Sequence, residues 1–178
     1  DSSLVEIALV SFGIRGSKQL DFTNNGDTLK TKINSLGYDN GTNWEEGLIY
    51  AKEYADAIKT TQPNEDIYVV FMTDGEPTSS YNNYSGITLN DSNYRTRWGY
   101  AKDNARDLVE AGYNFYGIYT GGTTSSSHYL SSLVQYAYTG SGDYNTALSS
   151  QYSEYFTNAT DSDAVVTALN AIANAIKS

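Results

Sequence analysis

Asp66–Thr73 reads DIYVVFMT and runs straight into Asp74-Gly75-Glu76-Pro77. It is the most apolar run of the chain, and its β-branched and aromatic residues fit a central strand closed by a turn-forming Asp-Gly pair. Upstream, Trp44, Leu48, Ala51, Ala55 and Ile58 lie on one stripe of an α-helix over 44–58, which ends before Pro63. Further upstream, Glu6–Phe12 (EIALVSF) is apolar on both parities, which predicts a strand buried on both faces. Lys18–Thr23 alternates and predicts a weaker, more exposed strand. Leu29, Ile33 and Leu36 mark a short amphipathic turn ahead of the Gly-, Asp- and Asn-rich loop Gly37–Asn43.

Downstream, Pro77–Asp91 is built from Ser, Asn, Tyr and Gly and predicts an irregular loop. Its length points to binding, because structureless loops beyond about 12–15 residues are uncommon otherwise. Trp98, Ala101, Ala105 and Leu108 predict a helix from about Thr96 to Glu110, stopped by Gly112. Tyr113–Thr120 (YNFYGIYT) is a further strand, and the polar tract Gly121–Ser127 leads into a short apolar turn through Leu130, Leu133, Val134 and Ala137. Tyr155-Phe156 reads as an edge strand, and Asp163–Ile176 as a last helix capped from Thr160 and Asp161. Strands alternating with helices predict an α/β class with a doubly wound, mostly parallel sheet flanked by helices, Rossmann-like in plan. In such sheets ligands gather at the carboxyl ends of the strands, which makes Asp74 the first functional candidate.

Composition narrows the partners. With 11 Lys and Arg against 21 Asp and Glu, a net charge of −10, the chain has no electrostatic footprint for nucleic acid and an affinity for cations instead. The absence of cysteine excludes disulfides, thiolate zinc sites and thiol catalysis. No run approaches the roughly 18 apolar residues of a membrane span, so no membrane insertion is expected. The length of 178 residues fits one domain, and 17 tyrosines supply much of the apolar burial that a 39% hydrophobic content would otherwise leave short.

Two loops carry the chemistry: Gly41-Thr42-Asn43-Trp44-Glu45-Glu46-Gly47-Leu48 before the first long helix, and Phe71-Met72-Thr73-Asp74-Gly75-Glu76-Pro77-Thr78 after the central strand. With ALVSFG at Ala8–Gly13, YNFYGIYTGG at Tyr113–Gly122 and VQYAYTGS at Val134–Ser141, they resemble the von Willebrand factor A domain, in the form found in Gram-positive surface and pilus-tip adhesins, over nearly the whole chain. The resemblance implies a metal-ion-dependent adhesion site. There Thr42 and Asp74 would ligate Mg²⁺, or Mn²⁺ or Ca²⁺, and Asn43, Gly75, Glu76 and the Tyr81–Tyr94 loop would frame the ligand-binding face. A hard cation takes carboxylate, hydroxyl and water oxygens, and an open vertex accepts a carboxylate from the partner.

One part of the pattern is missing. The family's first loop, Asp-x-Ser-x-Ser, follows a strand at the middle of the sheet and precedes a long helix. Here Asp1-Ser2-Ser3-Leu4-Val5 lacks the last serine and runs directly into the strand at Glu6, so Asp1, Ser2 and Ser3 are not carried over as ligands. The chain therefore reads as the carboxyl-terminal portion, 1–178, of one such domain, incomplete at its amino end. Its partners would be a host extracellular protein or glycan and the missing amino-terminal segment, and in the fragment the cation would bind weakly or not at all. The resemblance implies an extracellular location, at the cell wall, surface or pilus, and a role in adhesion and virulence rather than catalysis.

Plainer readings stand beside these. Asp74-Gly75 is also an ordinary strand-ending turn, and Thr42 an ordinary N-cap for the helix at Trp44. A metal-dependent phosphoryl or ester hydrolase built on Asp74 would need a convergent second acid, base or lysine, and Asp66 lies at the opposite end of its strand. A structural pilus subunit with a vestigial site is the third reading. His128 reads as a solvent-exposed loop residue, and Asp161 and Asp163 as helix-capping acids. The Asn-x-Ser/Thr triplets at Asn40, Asn83, Asn90 and Asn158 read as chance.

Overall fold

The computed structural model describes residues 5–81, 91–121 and 126–177. β1 (Ile7–Phe12) and β2 (Gly16–Thr23) form an antiparallel hairpin, followed by α1 (Gly26–Asn34) and α2 (Trp44–Thr61). β3 (Tyr68–Thr73), α3 (Asp91–Glu110), β4 (Asn114–Tyr119), α4 (Ser127–Thr139), a 3-10 turn (Ser150–Tyr155), β5 (Phe156–Asn158) and α5 (Ser162–Lys177) complete the order. β3, β4 and β5 are hydrogen-bonded in that order as a parallel sheet, and β1–β2 stands as a separate two-stranded sheet. The α/β class with a parallel sheet between helices is thus as expected.

Side-chain parity decides what each face buries. Phe71, Phe115 and Tyr119 point toward α2, α3 and α4, where they pack on Trp44 and Leu48, Trp98, Ala101, Ala105 and Leu108, and Leu130, Leu133 and Val134. The alternate residues Tyr116 and Ile118 meet Ala164, Val165, Ala168 and Ile172 of α5 on the opposite face. Gly117 keeps α4 close to the sheet: a Cβ there would sit 2.9 Å from Val134 Cγ2 and 3.1 Å from Leu130 Cγ.

Four elements differ from expectation, the first being α1, a helix of nine residues where a short turn is expected. α4 is a full helix of 13 residues rather than a short turn, because burial of Leu130, Leu133, Val134 and Ala137 stabilises it, although its N-cap Ser126 makes no side-chain cap bond. α3 begins at Asp91, five residues before the start expected at Thr96. β1 is only half-buried, and Ile7 is 44% exposed. Among the described residues it pairs with β2 alone, where a strand buried on both faces was expected.

Two devices satisfy backbone groups that the ladders leave over. Asn43 caps α2: its Oδ1 accepts from Glu46 N–H at 3.0 Å, and its Nδ2 donates to Ile14 O at 3.0 Å. Tyr138 serves the outer edge of β4 beyond the end of β5. Its hydroxyl accepts from Phe115 N–H and donates to Phe115 O, both at 3.0 Å. Burial holds this hydroxyl protonated well above the usual tyrosine range.

Both devices can be tested by urea denaturation of the folded protein. Tyr138→Phe should cost about 1–3 kcal/mol, since it removes no packing but orphans two backbone groups. Asn43→Ala should cost about 2 kcal/mol, and Asn43→Asp, which keeps the cap acceptor but loses the donor to Ile14, should fall between it and the native protein.

Candidate metal-ion site

β1 and β3 deliver their carboxyl ends to one place, the amino terminus of α2. Gly13 O, just past β1, accepts from Asn43 N–H at 2.8 Å, and Trp44 Nε1 donates to Thr73 Oγ1, the last residue of β3, at 3.3 Å. Thr73 also shapes the turn that follows, donating from Oγ1 to Gly75 O at 3.1 Å and accepting from Gly75 N–H at 3.4 Å. The Thr42 loop and the Asp74 loop are then joined directly. Thr42 N–H donates to Thr78 Oγ1 at 2.9 Å, and Thr42 O accepts from the N–H groups of Thr78 and Ser79 at 3.0 and 3.3 Å.

This clamp leaves two hard oxygen donors uncommitted. Thr42 is half-buried, and its hydroxyl makes no hydrogen bond to a described residue. The plainer reading of Thr42 as the helix cap does not hold, because Asn43 fills that role. Asp74 is exposed, and its carboxylate likewise has no hydrogen-bond partner among the described residues. A hydroxyl and a carboxylate on adjoining loops suit Mg²⁺ as far as they go, leaving most of an octahedral shell to water or further oxygens. No group of three or more His, Asp or Glu side chains that could hold a metal occurs among the described residues.

The surrounding residues sort differently from the sequence reading. Asn43, expected on the ligand-binding face, is fully buried, and its side chain is spent on the cap and on Ile14. Gly75 and Glu76 are half-buried, and the Glu76 carboxylate accepts from Ser126 Oγ across the end of the sheet. Asp74 and Glu76 both face Tyr119. Burial first, and then these two negative charges, raise its hydroxyl above the ordinary tyrosine value. Gly121 completes the packing there, because a Cβ would strike Tyr119 Oη and Asp74 O. Glu45, whose carboxyl burial raises above the usual range, accepts from Tyr81 N–H at 2.8 Å at the start of the expected 81–94 loop, whose last four residues belong to α3. Residues 82–90 of that loop lie outside the described residues.

Sequence reasoning missed Thr78, Tyr119, Gly121 and Ser126. Thr78, Tyr119 and Gly121 sit in stretches already singled out, whereas nothing in the sequence pairs Ser126 with Glu76, 50 positions away. His128 is not a loop residue: it lies in the first turn of α4, half-buried, with its ring centroid 4.1 Å from that of Tyr129. Asp161 caps α5 as expected, its Oδ1 accepting from Ala164 N–H at 2.8 Å. No helix among the described residues is long and apolar enough to cross a membrane.

No family model matches the sequence, and no curated protein does. Solved structures do. The PilB minor pilin from Streptococcus sanguinis superimposes with a TM-score of 0.69 at 16% identity, over 96% of this chain and 49% of its own. A point mutant of that pilin gives 0.65 at 19% identity, over 96% and 49%. The vWF domain of the type V pili tip protein Mfa5 from Porphyromonas gingivalis gives 0.64 at 17% identity, over 97% of this chain and 79% of that one. The chain spans about half the length of the PilB structure it matches. Its parallel sheet between helices, with two loops clamped at the carboxyl ends of the strands, has the fold of a von Willebrand factor A domain.

Proposed function

We propose that this chain is the binding module of a surface or pilus adhesin, and that it engages a host extracellular protein or glycan through a divalent cation held by Thr42 and Asp74. The observation that carries this reading is the clamp between their loops. It ties the Thr42 loop to the Asp74 loop while engaging neither the Thr42 hydroxyl nor the Asp74 carboxylate in a hydrogen bond to a described residue. The chemistry that a bound Mg²⁺ supplies is an electrophilic vertex for a partner carboxylate.

The chain's own residues do the positioning. Asn43 and Trp44 fix the start of α2 against the exits of β1 and β3. Thr78 and Ser79 hold the Asp74 loop to Thr42 O, while Glu76, tied to Ser126, stays out of the Thr42–Asp74 pair and adds negative charge beside it. Gly75 and the exposed Tyr81 would border the partner. The structural neighbours support a pilus setting, since one is a minor pilin and the other a pili tip protein. A location outside the cell and a binding rather than catalytic role follow by that analogy. A hydrolase would need a base converging on Asp74, and the carboxylate of Glu76, two residues on, accepts from Ser126.

The test is calorimetric titration of the domain with MgCl₂ and MnCl₂. Asp74→Ala and Thr42→Ala should each weaken cation binding by about tenfold or more. Neither should shift the urea midpoint appreciably, because neither side chain has a hydrogen-bond partner among the described residues. Binding unchanged in both variants would overturn the assignment.

A further inference from the structure

The chain holds two Asn-Gly steps, Asn25-Gly26 and Asn40-Gly41, and the fold treats them oppositely. An asparagine followed by glycine is open to attack of the next backbone nitrogen on its side-chain amide, because glycine puts no Cβ in the way. At Asn25 the attacked group is held. Its Oδ1 accepts from Thr28 N–H at 3.0 Å, its carbonyl accepts from Leu29 N–H at 3.1 Å, and Gly26 is already the first residue of α1. Asn40 has no such restraint: it is exposed, and its side-chain amide makes no hydrogen bond to a described residue.

The backbone on either side of Asn40 is nonetheless pinned, in both directions to the turn that follows β1. Asp39 Oδ2 accepts from Ile14 N–H at 3.0 Å, while Asn43 donates to Gly13 O at 2.8 Å and to Ile14 O at 3.0 Å. Gly41 is pressed on the same turn, where a Cβ would lie 2.7 Å from Ile14 Cγ1 and 2.8 Å from Ile14 Cα. The glycine that opens Asn40 to attack is therefore one the packing requires. The unrestrained amide stands two residues before Thr42.

We propose that Asn40 is a site of self-modification, deamidating through a cyclic imide with Gly41, and that its products change the charge and the path of the loop that carries Thr42. The Gly41 nitrogen bonds to Asn40 Cγ, the Cγ–Nδ2 bond breaks, and the displaced amide nitrogen leaves as ammonia with the proton of the Gly41 N–H. Water then opens the imide. Hydrolysis of the N–Cγ bond gives aspartate, and hydrolysis at the main-chain carbonyl gives isoaspartate, whose chain runs through Cβ and Cγ and is one carbon longer. No oxidant or reductant takes part.

The two products act differently on the loop. Aspartate keeps the chain path and adds one negative charge within about 7 Å of the Thr42 backbone. Isoaspartate lengthens a segment fixed at residues 39 and 41, so that either Thr42 moves or the contacts with Ile14 part. The effect on cation affinity rests on the reading of Thr42 and Asp74 given above, whereas the modification itself does not.

The experiment incubates the folded chain in mildly alkaline buffer and follows both Asn-Gly peptides by mass spectrometry, with the chain unfolded in guanidinium chloride as reference. Asn40 should convert about fivefold or more faster than Asn25 in the folded chain, where the cap at Asn25 must first open, and the two should convert alike when unfolded. Asn40→Gln should abolish conversion at position 40. Asn25 converting as fast as Asn40 in the folded chain, or Asn40 intact when the unfolded reference has converted, would overturn the proposal. Calorimetry with MgCl₂ reads the consequence for the loop. Asn40→Asp should tighten binding about twofold or more at low salt, and the isoaspartate form, separated by ion exchange, should bind more weakly than the untreated chain. Equal affinity of the three forms would overturn the coupling of the loop to the site. No Mg²⁺ binding by any of them would strike the cation reading alone, with the conversion of Asn40 decided by the mass spectra.

Discussion

Asn43 is the residue on which the two halves of the molecule meet. Fully buried, it donates from its backbone to Gly13 O and from its side chain to Ile14 O, and it accepts from Glu46 to start α2. A buried amide with so many partners has one viable orientation, because any rotation strands several polar groups at once. The next residue, Trp44, extends the bracket to the parallel sheet, with its ring edge-on to Phe71 at 5.7 Å and its N–H on Thr73. α2 is thus fastened at one end to the hairpin and to the parallel sheet. The Thr42 and Asp74 loops have a common geometry because both issue from that junction.

How much of this the sequence discloses depends on the range of the interaction. The strand at Asp66–Thr73, the stripe of α2 and the strand of β4 repeat their signal every two to four residues, and burial of those same residues is what forms them. The start of α3 is not legible, because Ser92 and Asn93 extend the helix without adding to its apolar face. α4 is underread for the opposite reason: a Ser- and Thr-rich beginning conceals a segment stabilised by tertiary packing. The two candidate cation ligands are legible by type and position. Which of two adjacent cap-forming residues, Thr42 or Asn43, closes the helix is not, and the outcome decides whether the Thr42 hydroxyl is free. Ties such as Glu76 to Ser126 and Phe115 to Tyr138 join residues that only the folded chain brings together.

The aromatic content also takes on a structural meaning in the fold. Tyr68, Tyr116, Tyr155, Tyr138 and Tyr152 follow one another in ring contact, with successive centroids 4.3 to 6.5 Å apart, from the edge of β3 across the end of the sheet. Tyrosine serves here as a large apolar body whose hydroxyl can be placed at a partner. Tyr138 does so at Phe115, and Tyr113 at Asp56, to which it donates at 2.7 Å. A chain of low overall hydropathy can therefore assemble a dense core.

The indole of Trp44 has an optical consequence. The chain holds two tryptophans, both almost fully shielded from water and both hydrogen-bonded, Trp44 to Thr73 Oγ1 and Trp98 to Tyr129 O. Trp44 sits one hydrogen bond away from the residue that precedes Asp74, while Trp98 is anchored to α4. The tryptophan emission of this protein is therefore the sum of a lamp beside the cation loops and a lamp in the helical layer. Replacing Trp98 with phenylalanine would leave a single tryptophan which, excited to the red of the tyrosines, reports by its wavelength and lifetime on the junction of the two sheets, without any added label.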